Sequence, residues 1–193
     1  MGQVYIEDKT FEAENFILKP LLKGEYEKCV FRNCDFSSTD LSEFQFNECE
    51  FDGCNLSLAK LTKTEFREIK FKKCKMLGLH FNTCNQFGLS FRFENCALNY
   101  SLFYKTKIKQ TVFKNSQLQE VDFSECDLTG SIFDECDFSR ATFDHTILVK
   151  ADFRTSFNFS IDPEANLIRK AKFSLLNVSG LLEKYDIEIE SEE

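Results

Sequence analysis

Large apolar residues recur along this chain at every fifth position. From Tyr26 the count in fives meets Phe31, Phe36, Leu41, Phe46, Phe51, Leu56, Leu61, Phe66, Phe71, Met76 and Phe81. It falters at Gln86, recovers at Phe91, slips by two residues and resumes at Leu98. It then holds through Phe103, Ile108, Phe113, Leu118, Phe123, Leu128, Phe133, Phe138, Phe143, Leu148 and Phe153. An amphipathic helix needs apolar residues about 3.6 apart and a half-buried strand about 2 apart. A period of five fits neither and points to a repeat architecture.

A second column runs two residues ahead of each centre. It holds Cys29, Cys34, Cys49, Cys54, Cys74, Cys84, Cys96, Cys126 and Cys136, which are all the cysteines of the chain, with Thr, Ser and Ala at most remaining positions. Small residues beside large centres imply two sets of side chains sharing one narrow interior, where a free thiol serves as a small, soft hydrophobe.

Units such as Cys34-Asp35-Phe36-Ser37-Ser38, Cys126-Asp127-Leu128-Thr129-Gly130 and Ala151-Asp152-Phe153-Arg154-Thr155 resemble the pentapeptide-repeat family. The resemblance implies an all-β fold, a right-handed quadrilateral parallel β-helix with four repeats to a coil. Coils stacked at about 4.8 Å would make the repeats a rod of ~30 Å. Residues 1–23 are expected to form an N-terminal cap and residues 24–157 the β-helix, with a register slip over 86–97. Residues 158–193 are expected to supply a last turn around Ile168 and Phe173, then a C-terminal capping and dimerisation module of a short helix (177–185) and a strand (186–190). At the slip, Gln86 takes a centre's place and Phe93-Glu94-Asn95 read as the added residues.

Charge and candidate chemistry narrow the function. The net charge of −8 argues against nucleic acid or an anionic membrane as a direct partner, since both attract basic surfaces. The first residues carry Glu7 and Asp8 where a signal peptide needs an apolar run, and Ile6 stands where a myristoylation signal prefers Ser or Thr. A cytoplasmic protein with reduced thiols is expected. His80 and His145 fall on the outward side of their repeats, and CxxC pairs, phosphate loops and paired-carboxylate motifs are absent from the sequence. No catalytic residue, metal site or cofactor is expected.

The layout is similar to the gyrase-protecting branch of the family, which includes plasmid-type and mycobacterial quinolone-resistance proteins and immunity proteins against microcin-type toxins. Asp162-Pro163-Glu164-Ala165-Asn166-Leu167-Ile168 looks like a segment of the immunity proteins. The resemblance implies a DNA-mimicking rod that binds DNA gyrase, or topoisomerase IV, as a homodimer joined through its C-termini. The chain departs from the quinolone-resistance type in running regularly over 45–57 and in reducing the second external loop to the slip.

Three sets of contact residues follow. The acidic rod surface comprises Glu120, Asp122, Glu125, Asp127, Asp134, Glu135, Asp137, Asp144 and Asp152; the slip offers Gln86, Phe87, Phe93, Glu94 and Asn95; the dimer interface comprises Leu181, Leu182, Tyr185, Ile187 and Ile189. Residues 60–75 run against the overall sign, with seven basic residues against Glu65 and Glu68. The alternative reading is an interaction rod for an unrelated protein partner.

Overall fold

Nearly every fifth residue of the repeat lies in the left-handed backbone region, from Lys28, Asn33, Ser38, Glu43 and Glu48 through Arg140, His145 and Lys150, with Thr83 in a 3-10 turn as the exception. A tight turn with positive φ at its third residue reverses little of the chain but bends it sharply. Repeated every five residues, the bend winds the chain into stacked four-sided coils. The computed structural model describes residues 4–190.

Two adjacent sides of the coil carry regular strands. β1 (Val4–Glu7), β3 (Gly24–Glu27), β5 (Gln45–Asn47) and β7 (Glu65–Arg67) form a four-stranded parallel sheet in the order β1-β3-β5-β7. The next side holds β2 (Thr10–Glu12), β4 (Val30–Arg32), β6 (Glu50–Asp52), β8 (Ile69–Lys72), β9 (Phe91–Glu94), β10 (Val112–Lys114) and β11 (Ile132–Asp134) in one seven-stranded parallel sheet. The other two sides are joined by single parallel bridges such as Asp35↔Asn55 and Asp122↔Thr142. The all-β parallel solenoid expected from the repeat is what forms. The segment read as a cap enters the ladder too: β1 pairs with β3 and β2 with β4, so residues from Val4 onward build a first coil.

The repeat centres stack directly over one another. Phe11, Phe31, Phe51, Phe71, Phe93, Phe113, Phe133, Phe153 and Phe173 form one continuous column with ring centroids 4.6–5.4 Å apart. Rings on neighbouring sides meet edge to face, as Phe31 does with Phe36. Both geometries are favoured by the ring quadrupole. The small column also serves the backbone. The Sγ–H of Cys54, Cys74 and Cys96 donates to the carbonyls of Phe31, Phe51 and Phe71 at 3.2–3.4 Å, and Ser156 Oγ does the same to Phe133 at 2.9 Å. All nine cysteines are free and buried.

At the slip the structure corrects the sequence reading. Phe93, not Phe91, continues the column in register with Phe71, so this coil spans 22 residues (93 − 71) in place of 20. Phe91 instead lies beside Ile69 in the small column. Its ring rests 5.8 Å from Phe66 and 5.2 Å from Phe81, and with buried Leu89 it fills the room that Gln86 leaves by facing solvent. The added residues therefore precede β9. They are set by an Asx turn, Phe87 N–H to Asn85 Oδ1 at 3.0 Å, and by Gly88 at φ +73°.

The C-terminus differs as well. Two 3-10 turns, Val178–Leu181 and Glu183–Tyr185, replace the helix, and Asp186–Glu190 forms no strand. Asp186 turns into the left-handed region, and the alternation of Ile187 and Ile189 has no neighbouring strand to pair with in one chain. Gly180 seats this end: a Cβ there would stand 2.2 Å from the Phe159 carbonyl oxygen.

Candidate interaction surfaces

The nine acidic residues of the rod surface do not share one side. Asp122, Asp127, Asp137 and Asp152 each precede the centre of a different side, at Phe123, Leu128, Phe138 and Phe153. Their oxygens are mostly engaged within the chain. Asp127 accepts from the Thr129 hydroxyl and N–H at 2.6 and 3.1 Å and pairs with Lys109 at 3.1 Å. Burial alone would raise its pKa, but those donors outweigh burial and hold it below the usual carboxylate range. Asp137 behaves alike through Gln119, Ser139 and Asn158. Asp152 is lowered chiefly by the Arg154 guanidinium, 2.8 Å away.

Of the remaining acids, Glu120, Glu125 and Asp134 are tied from coil to coil, and Asp144 and Asp122 to neighbours in their own coil. Arg140 Nε donates to Glu120 at 2.9 Å; Glu125 takes the Tyr104 hydroxyl at 3.0 Å and Lys105 at 3.4 Å. Asp134 accepts from Thr155, Asp144 contacts His145, and Asp122 receives the Ser124 N–H. Among the described residues, Glu135 alone of the nine has no side-chain hydrogen bond or ion pair.

A pattern that sequence reasoning missed explains part of this. On the seven-stranded side, the residue after each centre reads Glu12, Arg32, Asp52, Lys72, Glu94, Lys114, Asp134 and Arg154. The sign alternates on eight successive rungs, which suits cross-strand neighbours, since opposite charges stabilise a directly opposed pair and like charges destabilise it. The signal was present at a period of two coils, where a reading by charge blocks does not look.

At the slip, Gln86 and Phe87 are exposed, Phe87 at 77 %, with the Arg67 guanidinium 5.6 Å from its ring. Glu94 is half-buried and Asn95 exposed at a corner. Phe93 cannot meet a partner. It is wholly buried between Phe71 and Phe113, because it is a repeat centre.

At the C-terminal end Leu181 packs on the core and Leu182 is half-buried, while Tyr185, Ile187 and Ile189 are exposed. Lys184 clamps this end at 2.7 Å from Asp162 and 2.6 Å from Glu164, and the Tyr185 hydroxyl donates to Glu164. The most exposed large apolar residues are two the sequence reading passed over, Leu175 at 94 % and Leu176 at 92 %. Leu176 stands two residues before Val178, where a further coil would have buried it; with no coil above Phe173, it faces solvent. His80 and His145 are exposed. No helix among the described residues is long and apolar enough to cross a membrane.

Comparison with known proteins agrees with the repeat geometry. The family described as "Pentapeptide repeat region" matches residues 25–92 and 89–157. No curated protein matches the chain in sequence. Among solved structures, two trypsin-treated forms of QnrB1, described as a plasmid-mediated fluoroquinolone resistance protein, align with TM-scores of 0.58 and 0.57 at 20% and 19% identity. They cover 96% and 98% of this chain and all of theirs. Full-length QnrB1 aligns at 0.50 and 21% identity, over 95% of this chain and all of that one.

Proposed function

We infer, from the premise that this chain belongs to the pentapeptide-repeat family, that it is a non-enzymatic cytoplasmic rod that binds DNA gyrase or topoisomerase IV and protects it from a quinolone or a peptide toxin. The observation that carries this reading is the end-to-end likeness in fold to QnrB1, which spans all of a trypsin-treated QnrB1 chain and 96% of this one. A filled solenoid offers its outer sides rather than a cleft, so its work is recognition. The slip places Phe87 and Gln86 outward from a rigid frame, the usual arrangement for a binding loop.

A gyrase supercoiling assay with a fluoroquinolone present tests the reading. Restored supercoiling on titrating this protein to near-stoichiometric dose supports it; neither protection nor inhibition at any dose removes gyrase as the target.

One observation favours the second reading, a rod for an unrelated protein partner. Eight of the nine acidic groups are already engaged within the chain, so the C-terminal half does not present a free carboxylate stripe. Retention of a gyrase subunit from lysate at low salt and its release at high salt separates the two.

A further inference from the structure

The basic segment 60–75 and the strand stacked on it bring cationic side chains onto adjacent rungs. Lys70 and Arg92 are in-register neighbours on β8 and β9, so like charges oppose one another directly. Among the described residues neither makes an ion pair, nor do Lys73 and Lys75 around the next corner. Lys72, between them, is paired with Glu50 at 3.0 Å, and Glu94 lies beside Lys72 in register. The local balance stays positive in a chain of net charge −8. Stacked like charges are destabilising. Glu50, in register with Lys70 on its other side, offsets Lys70 in part, whereas Arg92 has Val112 on its other side, so an excess of positive charge remains for an external anion to relieve.

The same corner is hollow. An open groove of about 490 Å³ runs across it, lined among others by Lys73, Lys75, Asn95, Asn99, Asn115 and Gln117. It forms because Ala97 takes a place that Asn55, Lys75 and Gln117 hold on neighbouring coils. Its floor therefore carries amides, which donate and accept, flanked by two ammonium groups. Asn99 Oδ1 has no hydrogen-bond partner.

We propose that this groove, with Lys73 and Lys75 in its lining and Lys70 and Arg92 on the adjoining side, binds a short acidic peptide segment of a partner protein. The ammonium and guanidinium groups take carboxylates, and the amides take main-chain N–H and C=O groups, whereas a DNA phosphodiester backbone offers acceptors only and would leave the amide oxygens unmatched. Length argues the same way. The basic rim covers only two coils, about 10 Å, and a duplex lying along the rod would run on over acidic surface, whereas a few residues of peptide would not. The site is separate from the gyrase reading and stands or falls independently of it.

The test is fluorescence anisotropy of the full chain with a short labelled peptide of alternating Glu and Asp, at low and physiological salt. The expected result is saturable binding, weakened at least about tenfold by Lys73→Ala with Lys75→Ala. Lys105→Ala with Lys109→Ala, which removes lysines already paired with Glu125 and Asp127, should leave it unchanged. Gln117→Ala should weaken the peptide while keeping the circular dichroism of the parent. Absence of binding at low salt overturns the proposal, as does equal weakening by the two lysine pairs, which would mean diffuse attraction. Tighter binding of duplex DNA than of the peptide also overturns it.

Discussion

At the residue scale the interior is a crystal-like stack in which each ring is held from above and below. Phe113 lies 4.9 Å from Phe93 and 5.0 Å from Phe133 and is fully buried. Phe113→Ala should cost about 3–5 kcal/mol in urea denaturation, because a stack fixed by backbone ladders on all sides cannot collapse into the hole. The thiols behave differently. Cys136 Sγ–H donates to Phe113 O at 3.5 Å, and Ser156 makes the equivalent bond one coil on. Cys136→Ser should therefore change stability by only about 1 kcal/mol.

Burial also pushes the thiols of Cys49, Cys126 and Cys136 up to about 12 from their ordinary 9.0. The folded state then holds those protons more tightly than the unfolded chain. The stabilisation is complete below pH 9 and is lost as pH rises from about 9 to 12. Denaturation midpoints should fall across that window, and thiol alkylation at neutral pH should await unfolding.

At the scale of elements, the slip shows what a period can and cannot reveal. The count in fives located the irregular coil, but the choice between Phe91 and Phe93 as its centre depends on which residues lie opposite Ile69 and Phe71, a cross-coil relation with no local mark. Sequence spacing likewise predicted an interior for the repeat centres and the Cys column, yet it could not show that Asp127 and Asp152 are taken up by hydrogen bonds and ion pairs to neighbouring side chains on the outer surface. The alternating residues after Asp186 had the pattern of a strand without a partner to make one. Leu89→Ala should cost about 2–5 kcal/mol, since Leu89 fills the gap left by Gln86. Phe87→Ala should move the melting transition by less than about 0.5 kcal/mol. If Phe87 is a contact residue, it should nevertheless lower partner affinity, and that separation of stability from binding is the useful readout.

For the whole molecule, the two ends of the rod are the places where a one-dimensional stack must stop. Val4–Glu7 and Thr10–Glu12 end it on one side, and on the other Phe159, Gly180 and the Lys184 clamp close over Phe153. Closure at the second end is incomplete. Leu175, Leu176, Ile187 and Ile189, on residues that follow the last coil, all stay in water. Burying large aliphatic side chains that are this exposed gains about 1.5–3 kcal/mol each, and a two-fold pairing counts each twice. A homodimer joined at the C-termini would use them, with Tyr185 at its edge. The prediction is a concentration-dependent dimer in sedimentation equilibrium that Leu175→Glu with Leu176→Glu converts to monomer. The melting of the isolated coil stack should be unchanged, because neither leucine touches the core. A parent chain that stays monomeric at micromolar concentration would remove the dimer, and with it any doubling of the rod's length in partner recognition.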